Sequence, residues 1–368
     1  MAQADRVKMT LEGQWSTTNG PVWSVTVVGQ YAYCANGDGG IAILDVSDST
    51  NPLQVGRFIT GGYTYDVAVS GNYAYAAALT AGLQVIDISD PSNPQRRGAC
   101  STWYASVSVT VSDDYAYVGE HQRGLRAIDI SDPSNPLPVG RNQKDFGYAG
   151  SVVISGNKAY VSDGNAGLAV IDVSDRTNLP LVGRYDTHGE AHGVGVSGTF
   201  AYVGDDEGLQ VIDFSNPASP ERIGVCGFGP ESRVQSVALS GNYAYVADGH
   251  TGLEVTDISN PRSPRRVGGY DTTGYSTDVA VSANRAYVAD HWGGLLVFGI
   301  AELPAIICAE LADDLLIIQW NEAAEGMRLQ HATNLTKPDW FDLPGSEATN
   351  HITLPIWSGT EVFRLMKP

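Results

Sequence analysis

The sequence predicts an all-β fold: a seven-bladed β-propeller of four-stranded blades, closed by the N-terminal strand, over residues 1–300, then a small C-terminal β-sandwich over residues 301–368. Three observations lead there. The phrase GLQVIDISDPSNP at 82–94 returns as GLRAIDISDPSNP at 124–136, with kin at 40–52, 167–180, 208–220 and 252–264 and a degenerate copy at 294–300, so the chain repeats a unit of about forty-two residues. An Ala-Tyr pair keeps the same period independently, ending at Tyr33, Tyr75, Tyr117, Tyr160, Tyr202, Tyr245 and Tyr287. Inside each unit the apolar residues alternate with a period of two, and no helical period is present.

The second unit shows the elements in order. Residues 65–69 read as a first strand, Ser70-Gly71-Asn72 as a tight turn, and residues 73–77 as a second strand. Ala81-Gly82 closes a short loop into a third strand, Leu83 to Ile88, which the prolines of Ser89-Asp90-Pro91-Ser92-Asn93-Pro94 terminate because proline cannot donate to a ladder. A weaker outer strand from Gln95 to Gly98 completes four. Units of this size are usual for propeller blades. The seventh unit stops at Gly299-Ile300 after three strands, and Asp5-Arg6-Val7-Lys8-Met9 resembles the fourth-strand phrase Arg265-Arg266-Val267-Gly268-Gly269. The N-terminal segment is therefore expected to supply the missing strand and remove an exposed edge.

The recurring Leu83-Gln84-Val85-Ile86-Asp87 phrase and its copies resemble the LVIVD repeat, a family of bacterial and archaeal propellers often secreted or surface-attached. The resemblance spans roughly residues 15–300 and implies a fold and an exported location, but no catalytic residues. The tail changes pattern after Leu303-Pro304: short apolar stretches such as 314–320 and 361–365 alternate with Gly, Pro and Asn turns, as in a small sandwich. Its run Arg328 to Leu335, with Pro338-Asp339-Trp340 and Phe363-Arg364-Leu365, resembles a C-terminal module on secreted proteins of Verrucomicrobia-like bacteria.

A formal charge of −19 argues against nucleic acid as a partner, since phosphate binding needs clustered Lys and Arg. No apolar run is long enough to span a bilayer. Cys34, Cys100, Cys226 and Cys308 have neither disulfide-scaffold density nor metal-ligand spacing, and read as buried free thiols. The expected location is secreted or cell-surface, with the targeting segment absent from this sequence.

Repetition separates scaffold from chemistry. Asp45, Asp87, Asp129, Asp172, Asp213 and Asp257 each end a third strand and are expected to bond local backbone, and Glu120, Asp163, Asp205, Asp248 and Asp290, which follow the second strand in five units, are read as structural as well. The variable register is the entry to the first strand: Trp23-Ser24, Tyr65-Asp66, Val107-Ser108, Gly150-Ser151, His192-Gly193, Gln235-Ser236 and Thr277-Asp278. Propeller geometry puts these on one face with the second-to-third loops, which carry His121-Gln122-Arg123, Asp205-Asp206-Glu207, Asp248-Gly249-His250 and Asp290-His291-Trp292. His121, His188, His192, His250 and His291, five of the seven histidines, share that face.

The face supports three readings: polar loops without a ligand, a binding surface, or a catalytic site. For binding, Trp23, Tyr65, Tyr104, Tyr275 and Trp292 offer flat apolar contact, with Asp66, His121, Arg123, His192, Arg233, Gln235, His250, Asp278 and His291 as polar partners, for a polysaccharide or a cell-surface component. For catalysis, His192, His250, His291 and Asp278 are candidates to hold a divalent metal or to act as acid and base in a carbohydrate-active lyase or hydrolase, although no HExxH-type spacing supports them. There is no GxSxG elbow, Walker loop or dinucleotide fingerprint, and Gly37, Gly39 and Gly40 lie between strands rather than before a helix. A binding or interaction module is the leading expectation.

Overall fold

The computed structural model describes residues 6–102, 104–142 and 146–303, and beyond them only the strands Ile306–Ala312, Leu315–Trp320, Arg328–Ala332, Phe341–Asp342, His351–Pro355 and Val362–Met366. Seven four-stranded antiparallel sheets form the propeller. In the second blade Asp66–Ser70, Tyr73–Ala77, Leu83–Asp87 and Gln95–Cys100 follow one another outward, Ser70 opposite Tyr73 and Tyr73 opposite Asp87. The pairing of the third and fourth strands shifts register between Val85 and Ile86, a bulge that adds twist to the outer strand. The first strands are innermost and touch in a ring: Ser24–Val28 meets Asp66–Ser70 on one side and Asp278–Ser282 on the other.

Packing between blades explains both sequence markers. Alternate residues of a strand point to opposite faces of its sheet, so in the first blade Ala32 joins the core shared with the seventh blade while Tyr33 joins the core shared with the second. The same division holds at Ala116 and Tyr117. The third-strand residues alternate too, Leu83 and Val85 facing the third blade and Ile86 the first. A strand buried on both faces is apolar at nearly every position, which is why the repeat reads as an apolar run broken by the buried polar side chains Gln84, Arg126, Gln210 and Glu254.

The third-strand aspartates behave as the repeat predicts. Asp87 Oδ1 accepts from Ser89 N and Ser89 Oγ at 3.0 and 2.6 Å, and Asp45, Asp129, Asp172, Asp213 and Asp257 accept the same backbone N–H two residues on. Each turn so formed is seated on the preceding blade by a fourth-strand glycine: a Cβ on Gly56 would collide with Pro91 O, and one on Gly98 with Pro133 O.

Closure follows the expected logic in a different register. The strand Val7–Trp15 lies beside Leu295–Glu302 as the fourth strand of the seventh blade. The seat is Gly13, whose Cβ would strike Ser49 O in the first blade's turn, and Glu12 accepts from Arg285 Nε at 2.7 Å. Thr10-Leu11-Glu12-Gly13-Gln14-Trp15, rather than residues 5–9, is thus the counterpart of Gln95 to Cys100. A lone glycine was the signal, because what the position requires is absence of a side chain.

Residues 9–300 form one compact unit, and residues 1–8 with 301–368 another. In the latter the tail's strands make two three-stranded antiparallel sheets, one ordered Ile306–Ala312, Leu315–Trp320, His351–Pro355, the other Phe341–Asp342, Arg328–Ala332, Val362–Met366. Among the described residues no helix is long and apolar enough to cross a membrane. Cys34, Cys100 and Cys226 are buried free thiols, as expected; the Cys308 side chain lies outside the described residues.

A candidate ligand site at the channel mouth

The entry register converges on one cavity of about 180 Å³, lined by Tyr148 and by all the entry-pair residues except Gly193. Below it a second space of about 330 Å³ runs between the first strands, walled mainly by valines. The backbone at the mouth is fixed while the side chains vary: Trp23, Tyr65, Val107, His192, Gln235 and Thr277 each donate their N–H to a second-strand carbonyl of their own blade, as in Trp23 N to Ala35 O at 2.8 Å. Sites on such rigid elements hold their geometry without a ligand.

The floor carries two carboxylates. Asp66 accepts from Ser24 Oγ of the preceding blade at 2.6 Å, from Val109 N of the following blade at 2.7 Å and from its neighbour Val67 N at 2.8 Å. Asp278 repeats the arrangement across the ring closure, taking Ser236 Oγ at 2.6 Å, Val25 N at 2.8 Å and Val279 N at 2.9 Å. Each acid therefore ties three blades together. Both are walled in by protein yet touch the lumen. Desolvation pushes the Asp66 carboxyl up to about 6 against these hydrogen bonds, with a further push from Asp278, and it raises Asp278 as well.

An aromatic arc forms one side of the rim. Trp23 lies 4.9 Å from Tyr65 and 4.7 Å from His291, Tyr63 lies 5.0 Å from Tyr65, and Tyr275 joins His291 at 6.4 Å and His250 at 4.7 Å. Trp23 Nε1 donates to Tyr63 OH at 2.7 Å, so the indole has spent its polar edge on a neighbour. His121 packs edge-on to Tyr148 at 4.6 Å. His121 and His291 adopt φ of 38° and 51°, left-handed conformations held by glycine at the matching Gly37, Gly164 and Gly249. Such a conformation is uncommon for a residue with a Cβ.

The predicted site residues separate accordingly. Trp23, Tyr65, Asp66, His192, Gln235 and Asp278 line the cavity. His121, Arg123, Arg233, His250, His291 and Trp292 stand outside its lining, Arg123 over the Tyr104 ring at 4.3 Å and Trp292 64% exposed. Burial lowers the His192 imidazole below its usual range despite Glu190 and Asp206 nearby. Among the described residues no three His, Cys, Asp or Glu side chains are grouped so as to hold a metal ion, so His192, His250, His291 and Asp278 do not form a metal set. Glu120, Asp163, Asp205, Asp248 and Asp290 are all buried; Asp248, for instance, accepts from Arg233 N at 2.7 Å and Ser232 Oγ at 2.9 Å and fixes the loop that carries Arg233. Sequence reasoning missed Tyr148, which reaches the mouth from two residues before the Gly150-Ser151 entry pair, and Tyr63, which holds Trp23.

The repeat decides the family. Its model matches residues 19–60, 61–102, 105–143, 146–187, 188–227, 232–272 and 273–304 as the LVIVD repeat. The chain belongs to the LVIVD-repeat family. No curated protein matches the chain. Among solved structures, the LVIVD-repeat propeller is similar to the computationally designed Ika8 protein, with a TM-score of 0.59 and 11% identity, over 78% of this chain and 99% of that one. At that identity the likeness concerns the fold alone.

Proposed function

We propose that the protein is an exported binding module whose channel mouth takes a small polar ligand with flat apolar faces, the sugar ring of a carbohydrate being the expected class. The observation that carries this reading is the convergence of the variable entry register on one cavity, with Trp23, Tyr65 and Tyr148 on its wall and Ser24, Asp66 and Asp278 on its floor. Aromatic faces with a few convergent polar groups are what a small-molecule site needs, and rings of this kind stack on the C–H faces of sugars. Attachment of a sandwich-like secreted-protein module at the C-terminus belongs to the same proposal. The catalytic alternative has less support: Asp66 and Asp278 are occupied in joining blades, and the histidines are dispersed around the rim.

Titration of the full chain with a glycan panel, followed by calorimetry on any binder, tests the reading. Trp23→Ala and Tyr65→Ala are expected to weaken binding by about 1–3 kcal/mol each. Binding that survives both substitutions unchanged would place the ligand elsewhere.

A further inference from the structure

Among the described residues, two carboxylates and no Lys or Arg line a small cavity open at the channel mouth. A charge held away from water needs a compensating partner. Hydrogen bonds supply part of the compensation, and counting them shows what is left. A carboxylate offers about four lone-pair positions. On Asp66, Ser24 Oγ and Val67 N take Oδ1 and Val109 N takes Oδ2. On Asp278, Ser236 Oγ and Val279 N take Oδ1 and Val25 N takes Oδ2. One position on each Oδ2 remains. The Ser24 hydroxyl also lies against Asp278, but its single proton serves one carboxylate at a time.

The rest of the cavity favours an organic cation. The Trp23 and Tyr65 rings, 4.9 Å apart, belong to the wall, and Tyr148 stands in it as well. Aromatic faces carry the negative side of the ring quadrupole and attract cations. The Trp23 N–H is already held by Tyr63. A metal ion would find two carboxylates, hydroxyls and the His192 imidazole on the lining, but among the described residues no three His, Cys, Asp or Glu side chains are grouped so as to hold one. A net charge of −19 draws cations toward the protein from solution.

We propose that the cavity recognises a ligand carrying a protonated primary amine, with Asp66 and Asp278 as its counter-charges and Trp23, Tyr65 and Tyr148 against its apolar part. An ammonium group brings three N–H donors and no acceptor, which complements this wall. The inference rests on the reading of the cavity as a ligand site; within the carbohydrate class it selects sugars with a free amino group over neutral or N-acetylated ones.

Calorimetry on the full chain near pH 7 with glucosamine, glucose, N-acetylglucosamine, ethanolamine and calcium chloride tests it. Glucosamine is expected to bind at least about tenfold more tightly than glucose or N-acetylglucosamine, as charge-assisted bonds outweigh neutral ones. Asp278→Asn should abolish that preference. Because this variant could fail to fold, the pH response of the unaltered protein is a second measurement. Among the described residues, the titratable groups facing the cavity are Asp66, Asp278, His192, Tyr65 and Tyr148. Acidification through about 6 protonates Asp66, so the preference for glucosamine should shrink there while glucose binding stays level. Equal binding of glucosamine and glucose would overturn the ammonium inference and leave the carbohydrate reading standing. Ethanolamine binding as well as glucosamine would uphold the ammonium inference and remove the sugar ring from it. Calcium binding with no response to either amine, or silence from every probe, would overturn the inference, and silence would overturn the underlying reading too.

Discussion

Replacing Asp66 by Asn should change how the stability of the propeller depends on pH. Desolvation holds the folded Asp66 carboxyl at about 6, against an ordinary value of 3.8. A folded pKa above the unfolded one means that the native state binds the proton more tightly, so the contribution to stability is full below the unfolded value and is lost as pH rises through the folded one. The shift is about 2 units, and at about 1.4 kcal/mol per unit it amounts to roughly 3 kcal/mol, or about 2 after allowance for screening by water in the channel. Asn removes the titration. It also changes the bonds to Ser24 Oγ, Val67 N and Val109 N, and that cost does not vary with pH. Urea unfolding at pH 4 and pH 7.5, for the wild type and Asp66→Asn, isolates the titration as a difference of differences. The wild type should lose about 1.5–2 kcal/mol more than the variant between the two conditions. Equal losses would refute the assignment of a strained, desolvated charge to the channel floor.

Other expectations follow from the same geometry. Gly294→Ala should lower the melting temperature well beyond Gly71→Ala: both glycines have positive φ, but the new Cβ meets Trp15 O at the closing strand in one case and open space in the other. By differential scanning calorimetry the Gly71 change should cost about 1–2 kcal/mol, and a similar small loss at Gly294 would contradict the seating of the N-terminal strand. Cys34, Cys100 and Cys226 should resist alkylation in the native protein and react once it is unfolded in urea, since all three are buried and desolvation raises their thiols; peptide mapping showing native labelling at Cys34 would count against it. Gly13→Val should disturb closure, because no side chain fits between Gly13 and Ser49 O, and limited proteolysis should then cleave near residues 7–15 faster than in the wild type.

The Ala-Tyr pair and the SDPSNP turn were legible because the physical demand is local and recurs: two-sided burial imposes a period, and an Asx bond reaches only two residues along the chain. The variable entry register was legible for the complementary reason. Scaffold positions repeat under a common constraint, so those released from it, such as Trp23, Tyr65 and Gln235, differ between blades. The histidines were harder to place. His121, His250 and His291 lie in loops on the expected face, but whether loop residues converge depends on radial position within the ring, which sequence spacing does not encode.

The propeller fold, its number of blades and the register that lines the channel are thus readable from the repeats alone, because each follows from a recurring local pattern of burial and turns. Only the tertiary structure decided that Asp66 and Asp278 are struts between three blades as well as cavity walls, that Tyr148 enters the mouth from outside the aligned register, and that Gly13 is the seat of closure. These contacts join residues distant in sequence, 42 positions from Ser24 to Asp66 and 253 from Val25 to Asp278. The bond from Val25 to Asp278 exists only once the ring has closed, because closure brings the first and seventh blades side by side.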